Sequence, residues 1–139
     1  MKIKICGITE IETLNFLIEN GVDYVGFIFH ENSPRNVTHA FINEIKNIDF
    51  QKTRPVCVFV NPEKSFVNSS LSYFENPIIQ FHGDESEDFC KLFDCEFWKA
   101  LRIKDSKSLE DMKHFKNAQA ILCDTCLLYT SDAADEQQR

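Results

Sequence analysis

Six short blocks hold most of the side chains able to do chemistry. They are Lys4-Ile5-Cys6-Gly7-Ile8-Thr9, Ser33-Pro34-Arg35, Val58-Phe59-Val60-Asn61, Gln80-Phe81-His82-Gly83-Asp84-Glu85, Arg102, and Leu122-Cys123-Asp124-Thr125. A thiol with a reference pKa of about 8.5 is only a few per cent thiolate near neutrality, so Cys6 needs a positive or dipolar setting to act as a base. Asp124 can donate a proton only if burial or a neighbouring anion keeps it protonated. Two such groups with their pKa values pushed apart would make an acid–base pair. Arg35 offers a planar, two-pronged donor suited to a carboxylate. Each residue also has a plain role: Cys6 as an inert buried thiol, Arg35 as a solvated loop arginine, Asp124 as a helix cap, His82 as a packed histidine with a backbone partner. Asn61 and Arg102 read as structural. The Cys, His and Asp spacings lack the pattern of metal ligands, so neither a metal nor another cofactor is expected.

These residues are positioned by a repeating unit, a short apolar run followed by an amphipathic stretch. The runs cover 3–6, 24–29, 56–60, 78–81, 97–103 and 118–123, and they are continuous more than alternating. Strands buried on both faces in parallel sheets read this way. Pro55 and Pro77 stand just ahead of two of them, where a missing N–H costs little. Between the runs lie expected helices. Thr9-Glu10-Ile11-Glu12 has the form of a capping box ahead of an Ile11, Leu14, Leu17, Ile18 stripe, and Gly21 can end that helix in the left-handed conformation. Thr38 starts a helix carrying Phe41, Ile42 and Ile45. Asn61-Pro62 reads as an N-cap followed by proline, with Phe66, Val67, Leu71 and Phe74 as the inner face. Ser86 caps a short helix that buries Phe89 and Phe93. Leu109, Met112 and Phe115 face inward from the last one.

The order is β-α-β-α-β-α-β-α-β-α-β at a little over 20 residues per unit, as right-handed parallel crossovers require. A barrel and an open doubly wound sheet both fit. The turn after the first strand holds one glycine, not the glycine-rich turn of a nucleotide-binding sheet, and this favours the barrel. In such barrels the catalytic groups project from the C-terminal strand ends and the loops that follow. All the candidates fall at such places.

Bulk properties exclude several classes. A net charge of −7 leaves no electrostatic footprint for nucleic acid or an anionic membrane surface. No apolar run approaches the roughly 20 residues that span a bilayer, and the N-terminus lacks a signal-peptide pattern. A cytoplasmic protein is expected, with Cys6, Cys57 and Cys123 as reduced, buried thiols. Cys123 and Cys126 form a C-x-x-C. That motif is discounted, because residues 126–139 read as a non-native tail that looks like a translated sequencing adapter. The domain is then 1–125.

Five of these blocks, Arg102 left aside, together with Gly26-Phe27-Ile28-Phe29, resemble in order and spacing the phosphoribosylanthranilate isomerase family of tryptophan biosynthesis, with Phe81 where that family usually has leucine. The resemblance implies a partial TIM (βα)8 barrel with about six of its eight strands. It also implies an Amadori rearrangement of N-(5-phosphoribosyl)anthranilate to the 1-deoxyribulose phosphate. Cys6 then matches the family's general base and Asp124 its general acid. Arg35 matches the ligand of the anthranilate carboxylate, and His82 is placed with it as substrate-binding. A complete barrel takes about 250 residues, and this chain has 139. The family's glycine-rich phosphate loop after strand seven has no counterpart among Gly7, Gly21, Gly26 and Gly83. The parent enzyme is therefore expected to be active and this chain inactive. The alternatives are a non-enzymatic remnant serving as an interaction surface, or another phosphate-binding barrel enzyme. The C-G-I-T and S-P-R blocks speak against the latter. Oligomeric state is not readable from the sequence.

Overall fold

The computed structural model describes residues 1–125; the expected tail, Cys126 included, lies outside them. Six strands, β1 (Lys4–Cys6), β2 (Tyr24–Phe29), β3 (Arg54–Phe59), β4 (Ile78–Phe81), β5 (Phe97–Ile103) and β6 (Ala120–Thr125), alternate with helices α1 (Ile11–Glu19), α2 (His39–Ile45), α3 (Lys64–Leu71), α4 (Glu87–Cys90) and a 3-10 helix over Ser108–His114. All neighbours pair in parallel, and the strand order in space equals the order in sequence. A doubly wound sheet would reverse direction partway; this one does not.

The sheet curls. Adjacent strands lie about 4.8 Å apart, so a flat sheet would hold β1 and β4 about 14 Å apart. Yet Lys4 Nζ on β1 donates to Gln80 Oε1 on β4 at 2.7 Å. The rings of Tyr24 on β2 and Trp98 on β5 meet edge to face, centroids 4.9 Å apart. Side chains three strands apart touch only across the concave face of a curved sheet. That face buries Val56, Val58, Ile78 and Trp98, with Cys6, Tyr24, Ile28, Ala120 and Leu122 packed against them. The convex face carries the larger core, in which Phe27, Phe59 and Phe81 are fully buried beneath the helices. The result is a partial (βα) barrel.

The local elements follow their sequence signals unevenly. Thr38 accepts from Phe41 N and Ser86 from Phe89 N, as expected of N-caps. Gly21 takes φ +70° at the end of α1. Thr9 does not cap: α1 begins at Ile11, after Glu10, with no side-chain cap bond. Asn61 does not cap α3 either. That helix starts at Lys64, and the Asn61 side chain accepts from Asp84 N at 2.8 Å instead. Pro55 lies inside β3. Leu109 and Met112 are exposed, because the 3-10 helix buries none of its own residues and only the following Phe115 packs on the core; Phe66 on α3 is exposed as well. Cys57 is buried and burial pushes its thiol well up, whereas Cys123 is exposed on the outer side of the edge strand and Cys6 is half-buried. All five described cysteines are free thiols.

Candidate active site

In a strand, residues two apart share a face. The concave face of β1 therefore presents Lys4 and Cys6, that of β4 runs from Ile78 and Gln80 to His82 just beyond the strand, and that of β6 carries Leu122 and Asp124. In each case the reactive residue stands last, at the C-terminal mouth, above the apolar inner layer. One end of the curved sheet thus gathers groups that lie far apart in the sequence, from Cys6 to Asp124.

Cys6 ends β1 beside Gly26 of β2, its register partner. A Cβ on Gly26 would come within 2.7 Å of the Cys6 sulfur, so glycine makes the room this thiol occupies. Gly7 follows at φ +83°, and its N–H and that of Ile8 both reach Gly26 O. The Arg35 side chain lies over Gly7, so closely that any Cβ there would overlap the guanidinium. Its Nη1 donates to Cys6 O at 3.1 Å. The loop holding Arg35 is pinned: Val37 N reaches Ile28 O, Asn36 Oδ1 accepts from His30 N, and Ser33 Oγ accepts from Arg35 N.

His82 and Asp124 form the second group. His82 Nε2 lies 3.5 Å from Asp124 Oδ2, with the carboxylate about half exposed. The other ring nitrogen, Nδ1, is 3.1 Å from Gln80 Nε2, and the Gln80 amide oxygen takes Lys4. Among the described residues no backbone partner holds the ring, contrary to the plain reading of a packed histidine. Burial lowers the His82 pKa below its ordinary 6.5, assisted by Lys4 and Lys99 and opposed by Asp124. A cleft of about 350 Å³ opens at this mouth; His82, Asp124, Arg102 and Asn61 line it, while Cys6 and Arg35 stand outside its walls.

Beneath the cleft lie Lys99 and Glu85, whose pairing no spacing in the chain announces. Both side chains are about 2% exposed and 2.8 Å apart. Glu85 also accepts from Asn61 N at 2.7 Å and from Gly83 N at 2.9 Å, and Lys99 donates to Gly83 O at 2.6 Å. The pair ties the loop after β3 to the loop after β4 and fixes the His82-Gly83 corner. Lys4 and Gln80 were missed as well, although a detectable signal existed: each is the polar residue two before a candidate in an otherwise apolar run. Among the described residues no three metal-ligating side chains cluster, and no helix is long and apolar enough to cross a membrane.

Comparison with known proteins bears on this arrangement. The family model described as N-(5'phosphoribosyl)anthranilate (PRA) isomerase matches residues 3–136. The N-(5'-phosphoribosyl)anthranilate isomerase of Geobacter sulfurreducens is 36% identical over 122 residues, covering 88% of this chain and 60% of that protein. The crystal structure of phosphoribosyl anthranilate isomerase from Thermotoga maritima aligns with a TM-score of 0.81 at 30% identity, over 91% of this chain and 62% of that one. A further phosphoribosyl anthranilate isomerase, solved in complex with reduced 1-(o-carboxyphenylamino)-1-deoxyribulose 5-phosphate, aligns with a TM-score of 0.81 at 30% identity, over 90% and 65%. The chain thus spans about 60% of the length of the curated relatives it matches. With its six strands in barrel order and a family match that runs across all of them, the chain belongs to the N-(5'-phosphoribosyl)anthranilate isomerase family.

Proposed function

We propose that residues 1–125 supply the first six strands, and the acid–base pair, of an enzyme that rearranges N-(5-phosphoribosyl)anthranilate to the 1-deoxyribulose phosphate. The observation that carries the reading is the placement of Cys6, Arg35, His82 and Asp124 at one mouth of a curled parallel sheet. In this reading Asp124 gives a proton to the ribose ring oxygen as the bond from that oxygen to C1′ breaks. The anthranilate nitrogen lone pair forms the C=N bond. The Cys6 thiolate then takes the C2′ proton, the electron pair neutralises the iminium, and the resulting enol becomes the ketone. Arg35 grips the anthranilate carboxylate and His82 sits beside the acid at the substrate. The substrate phosphate is held by sequence that the longer relatives have beyond the six strands.

The test is loss of anthranilate fluorescence on incubation with phosphoribosylanthranilate. The chain extended to its relatives' length turns over, and the 139-residue chain does not. In the extended protein, Cys6→Ser and Asp124→Asn each lower kcat by roughly 10²–10⁴-fold with KM little changed, the usual worth of one proton-transfer group. A correctly folded but inactive extended protein would overturn the assignment. Turnover by the 139-residue chain would overturn the requirement for the remaining sequence.

A further inference from the structure

Four side chains from three strands make one polar line across the concave face: Lys4, Gln80, His82, Asp124. Donor and acceptor roles along it follow from one end. A lysine ammonium has three donors and no acceptor, so the Gln80 atom 2.7 Å away must be its oxygen. The Gln80 amide nitrogen then faces His82 Nδ1 at 3.1 Å. That NH2 group only donates, so Nδ1 must offer its lone pair. A neutral imidazole with a bare Nδ1 carries its hydrogen on Nε2, the atom 3.5 Å from Asp124 Oδ2. Burial and the two lysines hold the ring toward the neutral form. Gln80 is about 2% exposed, so water is poorly placed to substitute for either of its partners.

We infer that Lys4 and Gln80 are positioning residues that hold His82 as the Nε2–H tautomer, making it a donor to Asp124 Oδ2 and leaving the transferable proton of Asp124 on Oδ1, toward the substrate. The inference rests on the reading of Asp124 as the acid. The opposite tautomer would present a lone pair at Nε2. Asp124 would then hydrogen-bond its own proton to the ring, and the proton would be withheld from the ribose oxygen. No bond order changes in the line itself; it selects which carboxyl oxygen holds the one proton that is transferred. His82 Nε2 is the last link because Asp124 is the acidic group facing it, while Lys4 and Lys99 are the basic groups acting on it.

The experiment uses the extended protein labelled with ¹⁵N at histidine. Long-range proton–nitrogen spectra report which ring nitrogen of His82 is protonated, with His82→Gln identifying its signals. The wild type is expected to show Nε2–H. Gln80→Glu is nearly the same shape but places a carboxylate against Nδ1, which demands a hydrogen there. It is expected to give an Nδ1–H or doubly protonated ring and to lower kcat roughly 10- to 100-fold with KM within about twofold. Lys4→Met frees the amide to turn and is expected to mix the tautomers and lower kcat, whereas Lys4→Arg restores the donor and both readouts. Backbone amide spectra confirm that each variant is folded. An Nδ1–H wild type overturns the inference, and so do Gln80→Glu and Lys4→Met variants with unchanged tautomer and unchanged kcat. Those outcomes leave the acid reading standing provided Asp124→Asn is inactive. If Asp124→Asn retains full turnover, the acid reading itself falls, whatever the tautomer.

Discussion

Arg35 and His82 are the two residues whose surroundings most constrain what they can do. A guanidinium has five N–H donors, and the recorded side-chain bond of Arg35 uses one of them, on Cys6 O. That bond aims the fork over Gly7, where glycine alone leaves space. Lysine at this position would have to choose between Cys6 O and the substrate carboxylate. Losing one charge-assisted hydrogen bond, about 1.5–3 kcal/mol, predicts a roughly 10- to 100-fold rise in KM for Arg35→Lys, with kcat much less affected. Steady-state kinetics of the extended protein check this; an unchanged KM would remove Arg35 from substrate binding. His82 makes a prediction about pH. Its folded-state pKa lies below the ordinary 6.5, so between the two values the unfolded chain binds a proton that the folded chain does not. Stability therefore falls as pH drops below about 6.5 and stops falling from this cause only below the lowered folded value. Urea midpoints at pH 7.5 and 5.5 should separate more for the wild type than for His82→Gln. The mouth-ward placement of Cys6, Arg35, His82 and Asp124 was legible, because the positions of the apolar runs and of the segments that follow them carry that information. The bond from Arg35 to Cys6 O and the polar line behind His82 were not, because each depends on which residues a curved sheet brings together from distant strands.

At the scale of elements, Glu85 explains why the loops after β3 and β4 hold one shape. Its carboxylate accepts from Asn61 N, Gly83 N and Lys99 Nζ, while Lys99 also meets Gly83 O and lies over the Phe115 ring at 5.4 Å. Removing one member of a buried ion pair strands the other, at a cost of about 3–5 kcal/mol. Lys99→Met should therefore destabilise by that order in urea unfolding. The paired replacement Lys99→Met with Glu85→Leu should not recover the loss. In many proteins an apolar pair of like volume substitutes well for a buried ion pair, but here two backbone N–H groups would lose their acceptor. Full recovery by the double variant would show the pair to be dispensable for loop geometry. The strands themselves were readable, since continuous apolar runs at regular spacing have few other folds open to them. Caps were less so. Thr38 and Ser86 found the backbone N–H three residues on, whereas Asn61 was captured by Asp84 N from another loop, a competitor that local sequence cannot reveal. The inner stripe expected of Leu109, Met112 and Phe115 failed for another reason: a spacing of three does align residues on a 3-10 helix, but this one, Ser108–His114, buries none of its own residues, and only Phe115, just past its end, reaches Lys99 and the core.

At the scale of the whole molecule, the sheet has two ends. Strands β2 to β5 are paired on both sides, while β1 and β6 each pair on one side among the described residues. An unpaired strand edge offers N–H and C=O groups to any other strand, and it opens more readily than a strand locked between neighbours. Both edges also carry residues of the proposed site, Cys6 on β1 and Asp124 on β6. In a closed (βα) barrel such edges would be covered by the intervening strands, so extension to the relatives' length should act first on the parts of the sheet that bear the proposed acid–base pair. Hydrogen exchange reads this directly. In the 139-residue chain, the amides of β1 and β6 should exchange faster than those of β3 and β4, and the difference should shrink as protein concentration rises and edges pair between molecules. In the extended protein, β1 and β6 should gain protection while β3 and β4 change little, and turnover should appear with that gain. Edge strands as protected as β3 in a dilute sample of the 139-residue chain would mean that the curled sheet is already complete in itself. The proposed inactivity of this chain would then have to come from a lack of phosphate contacts alone, not from loosely held strands.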